Sequence, residues 1–156
     1  MSLLVVRKTT TTRVHATCVA LRQGRTWRAL LLRGPSGAGK SDLALRLIET
    51  GARLVADDQT DLSRQGSTVI ASAPARIAGL IEARGIGIVK LSRDQLVSRA
   101  RLALLVDLAH PERIERLPEP ASETVMGIAL PVVAVAPFEA SASAKLRLAL
   151  ARIANA

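Results

Sequence analysis

Aromatic side chains are almost missing from this 156-residue chain: Trp27 and Phe138 are the only two, and tyrosine is absent. A surface so poor in rings offers little on which single-stranded bases can stack. The core must instead be assembled from Ala, Val, Leu and Ile. Cysteine is nearly absent as well. Cys18 stands alone, which excludes an internal disulfide and fits a reducing compartment. It reads as a small buried residue rather than a nucleophile. Long apolar runs are missing too. Nothing approaches the length that crosses a bilayer, and Leu3-Leu4-Val5-Val6 is too short for the core of a secretion signal. A cytoplasmic protein without membrane contact is expected. Negative charge is the last scarcity: 22 Lys and Arg face 13 Asp and Glu, a formal net charge of +9. Arginine grips phosphates and carboxylates in bidentate fashion, so a phosphorylated or acidic partner is expected. Nucleic acid is the other reading of such a charge, and the shortage of rings counts against it.

The most informative stretch is GPSGAGKS, formed by Gly34, Pro35, Ser36, Gly37, Ala38, Gly39, Lys40 and Ser41. It fits the pattern G-x-x-x-x-G-K-[ST] at every fixed position. Ahead of it runs Ala29-Leu30-Leu31-Leu32, the uninterrupted apolar segment of a buried parallel strand. Behind it, Leu43, Leu47 and Ile48 share one helical face, and Gly51 stands where a helix should stop. Strand, glycine loop and helix together predict a nest of backbone N–H groups around phosphate. Lys40 is expected to reach the β- and γ-phosphates of ATP, and the Ser41 hydroxyl to ligate Mg²⁺.

The rest of the chain reads as one α/β domain over residues 15–156, led in by a segment over 1–14 expected to be flexible. No repeat and no dividing linker is visible. His15 to Leu21 predicts a strand that turns at Gln23-Gly24 into the strand before the loop. Arg53-Leu54-Val55-Ala56 predicts a short strand ending in Asp57-Asp58. The strand–helix–strand unit should cross over right-handed, with both strands parallel in one sheet. Their carboxyl ends then share an edge, which brings Asp57 and Asp58 beside the loop. Further on, a hairpin is expected around Gln65-Gly66, a short helix over Pro74 to Glu82, and strands over Leu102–Val106 and Gly127–Ala136. HPERIERLPEP, from His110 to Pro120, predicts a charged loop, and Ser143 to Ala154 a closing amphipathic helix.

Phosphoryl transfer to a hydroxyl needs a metal on the phosphates and a group to receive the proton. Two adjacent carboxylates at a strand end can divide those tasks. Asp57 and Asp58 are therefore favoured, with Asp107, at the end of another apolar strand, as their rival.

The run from Gly34 to Asp58, GPSGAGKSDLALRLIETGARLVADD, resembles the kinase domain of the bacterial HPr kinase/phosphorylase family. Ile77 to Val89, IAGLIEARGIGIV, is similar to that family's own signature segment. Glu115-Arg116-Leu117 more weakly resembles the segment that supplies a catalytic arginine. His15 also falls where the family has a histidine, though a few residues further from Lys40. The resemblance extends from His15 to about Pro137 and implies a P-loop fold of the HPr kinase/PEP carboxykinase-like type, a mixed central sheet with flanking helices. It finds no counterpart of the family's N-terminal domain, so a short, kinase-domain-only member is expected.

The reaction so implied is ATP-dependent phosphorylation of a serine on HPr, the phosphocarrier protein of the sugar phosphotransferase system. Asp58 would take the hydroxyl proton, with Ser41, Glu82 and Asp57 around the metal, Lys40 on the phosphates, and His15 and Arg116 assisting. His110 reads as structural. A homo-oligomer, a hexamer by the same resemblance, is expected. The chain departs from the family over Leu130 to Ala136, LPVVAVA, where a proline-, glycine- and arginine-rich loop tied to phosphorolysis is usual. Weak or no phosphorylase activity follows as an expectation. The alternative readings are a small-molecule P-loop kinase and a nucleotide-binding regulatory module without turnover. The carboxylate pair argues against the second.

Overall fold

The computed structural model describes residues 10–154. The first nine residues of the segment expected to be flexible lie outside them, as does Leu3-Leu4-Val5-Val6. The end of that segment is a strand instead: β1 (Thr11–His15) pairs antiparallel with β5 (Gln59–Gln65). Its β-branched threonines suit a pleated edge, and Arg13 Nε donates to Asp61 across the pair at 2.8 Å.

The chain continues through β2 (Thr17–Gln23), β3 (Thr26–Arg33), α1 (Lys40–Glu49), β4 (Arg53–Ala56), β6 (Thr68–Ser72), β7 (Leu80–Ala83), β8 (Gly87–Lys90), β9 (Arg99–Leu108), β10 (Ala121–Val125), β11 (Ile128–Val135) and α2 (Ala142–Ala154). Among the described residues, nine strands form one mixed sheet along the path β1-β5-β6-β9-β3-β2-β4, with β11 on β9 and β10 on β11. The expected parallel relation of β3 and β4 holds, with β2 lying antiparallel between them. The strands β3, β9 and β11 run parallel to one another.

The two ends of this path are joined by the chain itself. Only Ala16 separates β1 from β2, and only Asp57 and Asp58 separate β4 from β5. Thr60 Oγ1 donates to the Ala16 carbonyl across that seam at 2.9 Å. The sheet is therefore curled, and its concave side is narrow. Ala16, Cys18, Ala20, Ala29, Ala56, Ala71 and Ala100 fill it together with Leu31, Leu62, Leu102 and Leu105. Small side chains are what a tightly curved sheet can hold, which accounts for a core built without rings. Cys18 is fully buried there, and burial pushes its thiol pKa up, so it is not an activated nucleophile. The convex side carries α1 and α2, where Leu30, Leu32, Leu43, Leu47, Leu104, Leu146 and Leu150 pack together.

Two expectations fail. Pro74 to Glu82 does not form a helix. One 3₁₀ turn, Ala75–Ile77, gives way at Gly79, whose φ of +79° leaves the helical region, and β7 and β8 then make a separate hairpin. Alternation decides the outcome: Ile81 is buried against α1 while Glu82 beside it is exposed. Asp107 does not end its strand either. It lies inside β9 and receives the Arg33 guanidinium at 2.8 and 3.1 Å. The strand β10 had no signal, since Ala121-Ser122-Glu123-Thr124-Val125 is largely exposed and, among the described residues, pairs only with β11. Among the described residues, no helix is long and apolar enough to cross a membrane.

Candidate active site

The glycine loop connects the carboxyl end of β3 to the first turn of α1. Gly37 at φ +83° and Gly39 at φ +98° occupy the left-handed region that glycine enters freely. Gly34 is needed for space: a Cβ there would stand 3.0 Å from that of Ala38 and 3.4 Å from that of Leu108. Only the Ala38 N–H is used within the loop, donating to the Pro35 carbonyl at 3.0 Å. The N–H groups of Gly37, Gly39, Lys40 and Ser41 have no protein acceptor among the described residues. Lys40 is buried, and its Nζ donates back to the carbonyls of Gly34 (2.7 Å) and Pro35 (2.9 Å). A cation and a ring of free N–H groups thus face one small space. Such an arrangement is suited to receive an anion.

Asp57 and Asp58 stand beside it, as expected, but in opposite environments. Asp57 is 7% exposed. Its Oδ1 accepts from Ser41 Oγ at 2.6 Å and from Thr17 Oγ1 at 2.9 Å. Its Oδ2 accepts from the Glu82 N–H at 2.9 Å. One carboxylate therefore ties the loop serine, β2 and the β7–β8 hairpin together. Oδ1 has both lone-pair directions used, and Oδ2 keeps one. Asp58 is open to solvent and adopts φ +64°. Its N–H donates to Thr17 Oγ1 at 3.0 Å, and its Oδ1 lies 2.7 Å from His15 Nε2. A carboxylate can only accept, so Nε2 of His15 carries the proton. The other oxygen of Asp58 has no protein partner among the described residues.

The structure thus brings Lys40, Ser41, Asp57, Asp58 and His15 to one seam. Glu82 reaches it through its backbone, and its exposed side chain has no hydrogen bond among the described residues. Arg116 sits exposed in the loop between β9 and β10 and makes no hydrogen bond to any of these residues. Asp107, the rival carboxylate, is held by Arg33 and has no link to Ser41. Thr17 is a functional-site residue without a sequence signal: a threonine opening the apolar run Thr17-Cys18-Val19-Ala20-Leu21 looks like any strand residue until the fold sets it against Asp57 and Asp58. No group of three His, Cys, Asp or Glu side chains converges on a metal position among the described residues.

The glycine loop between a buried strand and a helix, on the carboxyl edge of a curled mixed sheet, defines an α/β protein of the P-loop class. Within that class, the family model described as the HPr serine kinase C-terminal domain matches residues 7–148, and the chain belongs to that family. A protein named HPr kinase/phosphorylase from Acidovorax sp. (strain JS42) is 40% identical over 109 residues, covering 64% of this chain and 34% of its own length. One of the same name from Clostridium botulinum (strain Eklund 17B / Type B) is 39% identical over 85 residues, covering 52% of this chain and 28% of its own. The chain spans about a third of the length of such relatives. Among solved structures, the Hpr(Ser) kinase/phosphatase from Coxiella burnetii superposes with a TM-score of 0.75 at 27% identity. That match covers 92% of this chain and 90% of the other.

Proposed function

We propose that the domain transfers the γ-phosphoryl group of ATP to a serine hydroxyl on an HPr-type phosphocarrier protein. The observation that carries this reading is the Asp58–His15 pair at 2.7 Å, an exposed and oriented carboxylate beside an anion site. Pure nucleotide binding has no use for such a group. The loop N–H groups and Lys40 receive the phosphates, Lys40 exchanging the carbonyls of Gly34 and Pro35 for phosphate oxygens. Asp57 holds Ser41 Oγ in place from below. Mg²⁺ suits the donors present, since Ser41 Oγ, the free direction on Asp57 Oδ2 and the Glu82 carboxylate are all hard oxygens. Its contribution when bound would be to offset the charge that develops on the phosphates. His15 fixes Asp58 through Oδ1 and leaves the second oxygen to accept the proton of the incoming serine. The serine oxygen then bonds to the γ-phosphorus as the bond to ADP breaks.

The test is transfer of label from γ-labelled ATP to purified HPr, with Asp58→Ala and a serine-less HPr as controls. Label on a serine that vanishes in both controls is the expected result. Absence of label on HPr while ATP still binds would instead favour another acceptor or a regulatory module.

Phosphorolysis is proposed to be weak. Leu130 to Ala136 is not an exposed cationic loop but mostly strand β11, with Leu130, Val135 and Ala136 buried. It offers no cation for the charge-assisted contacts that phosphate and phosphoserine require. Release of pyrophosphate from phospho-HPr and phosphate at a rate matching the kinase would overturn this. An oligomer belongs to the same reading: Ile86 and Ile88, 82% and 66% exposed on the β7–β8 hairpin, are apolar surface for a second copy to cover. A single-subunit mass in sedimentation would remove that part.

A further inference from the structure

On the side of the glycine loop away from Asp57 and Asp58 lies a groove of about 470 Å³. Its walls come from the loops that follow β3, β9 and β11, the carboxyl edge where parallel sheets take ligands. Pro35 and Ala38 belong to both the groove and the glycine loop, so the groove adjoins the loop. The other walls include Leu108, His110, Pro137, Phe138 and Glu139. The volume falls within the range usual for small-molecule sites.

Phe138 is 71% exposed, in a chain with only one other aromatic residue. It is nevertheless fixed in place. A Cβ built on Gly39 would come within 2.8 Å of its Cζ, so the ring rests directly on the glycine loop. The backbone on either side is tied to α1, because the Arg46 guanidinium donates to the carbonyls of Pro137 and Glu139. His110 accepts the Glu112 N–H on Nδ1 at 3.3 Å. The neutral tautomer that this bond selects carries the proton on Nε2, a donor among mostly apolar walls.

We propose that this groove is the subsite for the purine ring of the nucleotide donor, with Phe138 as the stacking face and His110 as a hydrogen-bond donor to a ring nitrogen. The inference rests on the reading of the glycine loop as the triphosphate site. The orientation follows from the order of strands. The terminal phosphate must lie toward Asp58, beyond β2, for transfer to a hydroxyl. The nucleoside then extends the opposite way, over β9 and β11, where an uncharged planar group meets mostly apolar walls, Glu139, paired with Lys145 at 2.7 Å, being the one carboxylate among them.

Binding of Mg·ATP and of magnesium tripolyphosphate, measured by calorimetry on the wild type, Phe138→Ala and Phe138→Trp, tests this. Wild type should prefer ATP. Phe138→Ala should weaken ATP about tenfold, the scale of one base–aromatic stack, and leave tripolyphosphate unchanged. Phe138→Trp should restore ATP. Unchanged ATP affinity in Phe138→Ala, or an equal loss for both ligands, would overturn the subsite while the triphosphate site stands. Equal affinity of the wild type for both ligands would do the same. Binding of neither ligand to a folded wild type would overturn the donor reading and this inference with it.

Discussion

The two flanks of the glycine loop are built by different means. On the β4 side, side chains are held by hydrogen bonds: Asp57 takes three donors, and Thr17 both gives one to Asp57 and accepts one from Asp58. On the β9 side, the groove is lined by Pro, Leu and Phe and is shaped by packing and backbone. The first arrangement fixes atoms to within tenths of an ångström, as positioning of a proton acceptor demands. The second offers area without direction, which suits a flat ring but not a reacting group. Within the first flank the contrast repeats on a smaller scale: Asp57 is buried and takes three donors, whereas Asp58 is open to solvent, and the proposed reading gives the first a structural and the second a chemical task.

Asp57→Ala should have the largest effect on stability. It strips an acceptor from the Thr17 hydroxyl, the Ser41 hydroxyl and the Glu82 N–H at once. Buried donors left without partners cost about 1–3 kcal/mol each, less where water can enter. A loss of about 2–4 kcal/mol in urea denaturation is expected, together with weaker Mg·ATP binding. A loss below 1 kcal/mol would mean that the flank is not held through this carboxylate.

Thr17→Val keeps the shape and removes only the hydroxyl. Because Thr17 is fully buried, Asp57 loses a buried donor, and the part-buried Asp58 N–H loses its acceptor. About 1–3 kcal/mol should be lost. Transfer should fall as well, since the same hydroxyl ties the Asp57 carboxylate to the Asp58 backbone.

Asp58→Gly should separate stability from chemistry. Glycine accepts φ +64° more readily than aspartate, which offsets the lost bond to His15 and the greater freedom of the unfolded chain. Stability should change by less than about 1 kcal/mol, while transfer to HPr disappears. A large destabilisation would make Asp58 a second structural residue and erase the contrast with Asp57.

Much of this could be read from the residues, because local signals and tertiary outcome agree around the loop. The apolar run before Gly34, the helical spacing after it and the Gly51 stop each dictate one element, and the structure keeps them all. The carboxylate pair followed from handedness and sheet direction alone. What could not be read were properties of the curl. Nothing local says that β1 pairs with β5, so the bond between His15 and Asp58 was not foreseen, and only a resemblance placed His15 at the site. Nor could Thr17 be singled out, because its role depends on two strands meeting at a seam. The segment from Pro74 to Glu82 misled for the opposite reason: proline suggested a helix start, while Gly79 and the pull of Asp57 on the Glu82 N–H favoured a turn and a strand.

The smallest expected effect concerns Arg33, on the strand that feeds the loop. From the residues, Asp107 was the competing metal carboxylate. In the fold, Arg33 bonds Asp107 and also donates to Glu123 on β10. Arg33 holds the Glu123 carboxyl below the usual carboxylate range, chiefly by hydrogen bonding, and is itself pushed up. The pair therefore stabilises the fold fully above the unfolded carboxylate pKa, and that contribution is lost as pH falls through the lowered folded value. Because Glu123 is largely in water, screening keeps the gain below about 1 kcal/mol. Glu123→Gln should lower stability slightly at pH 7, less so in 0.5 M salt (a concentration chosen to shorten the screening length), and not at all once the wild-type carboxyl is protonated. Transfer should be untouched, because Asp107 still anchors Arg33. A loss of transfer in Glu123→Gln would show that the β9 flank positions the loop through this arginine, and the division between a hydrogen-bonded flank and a packed one would no longer hold.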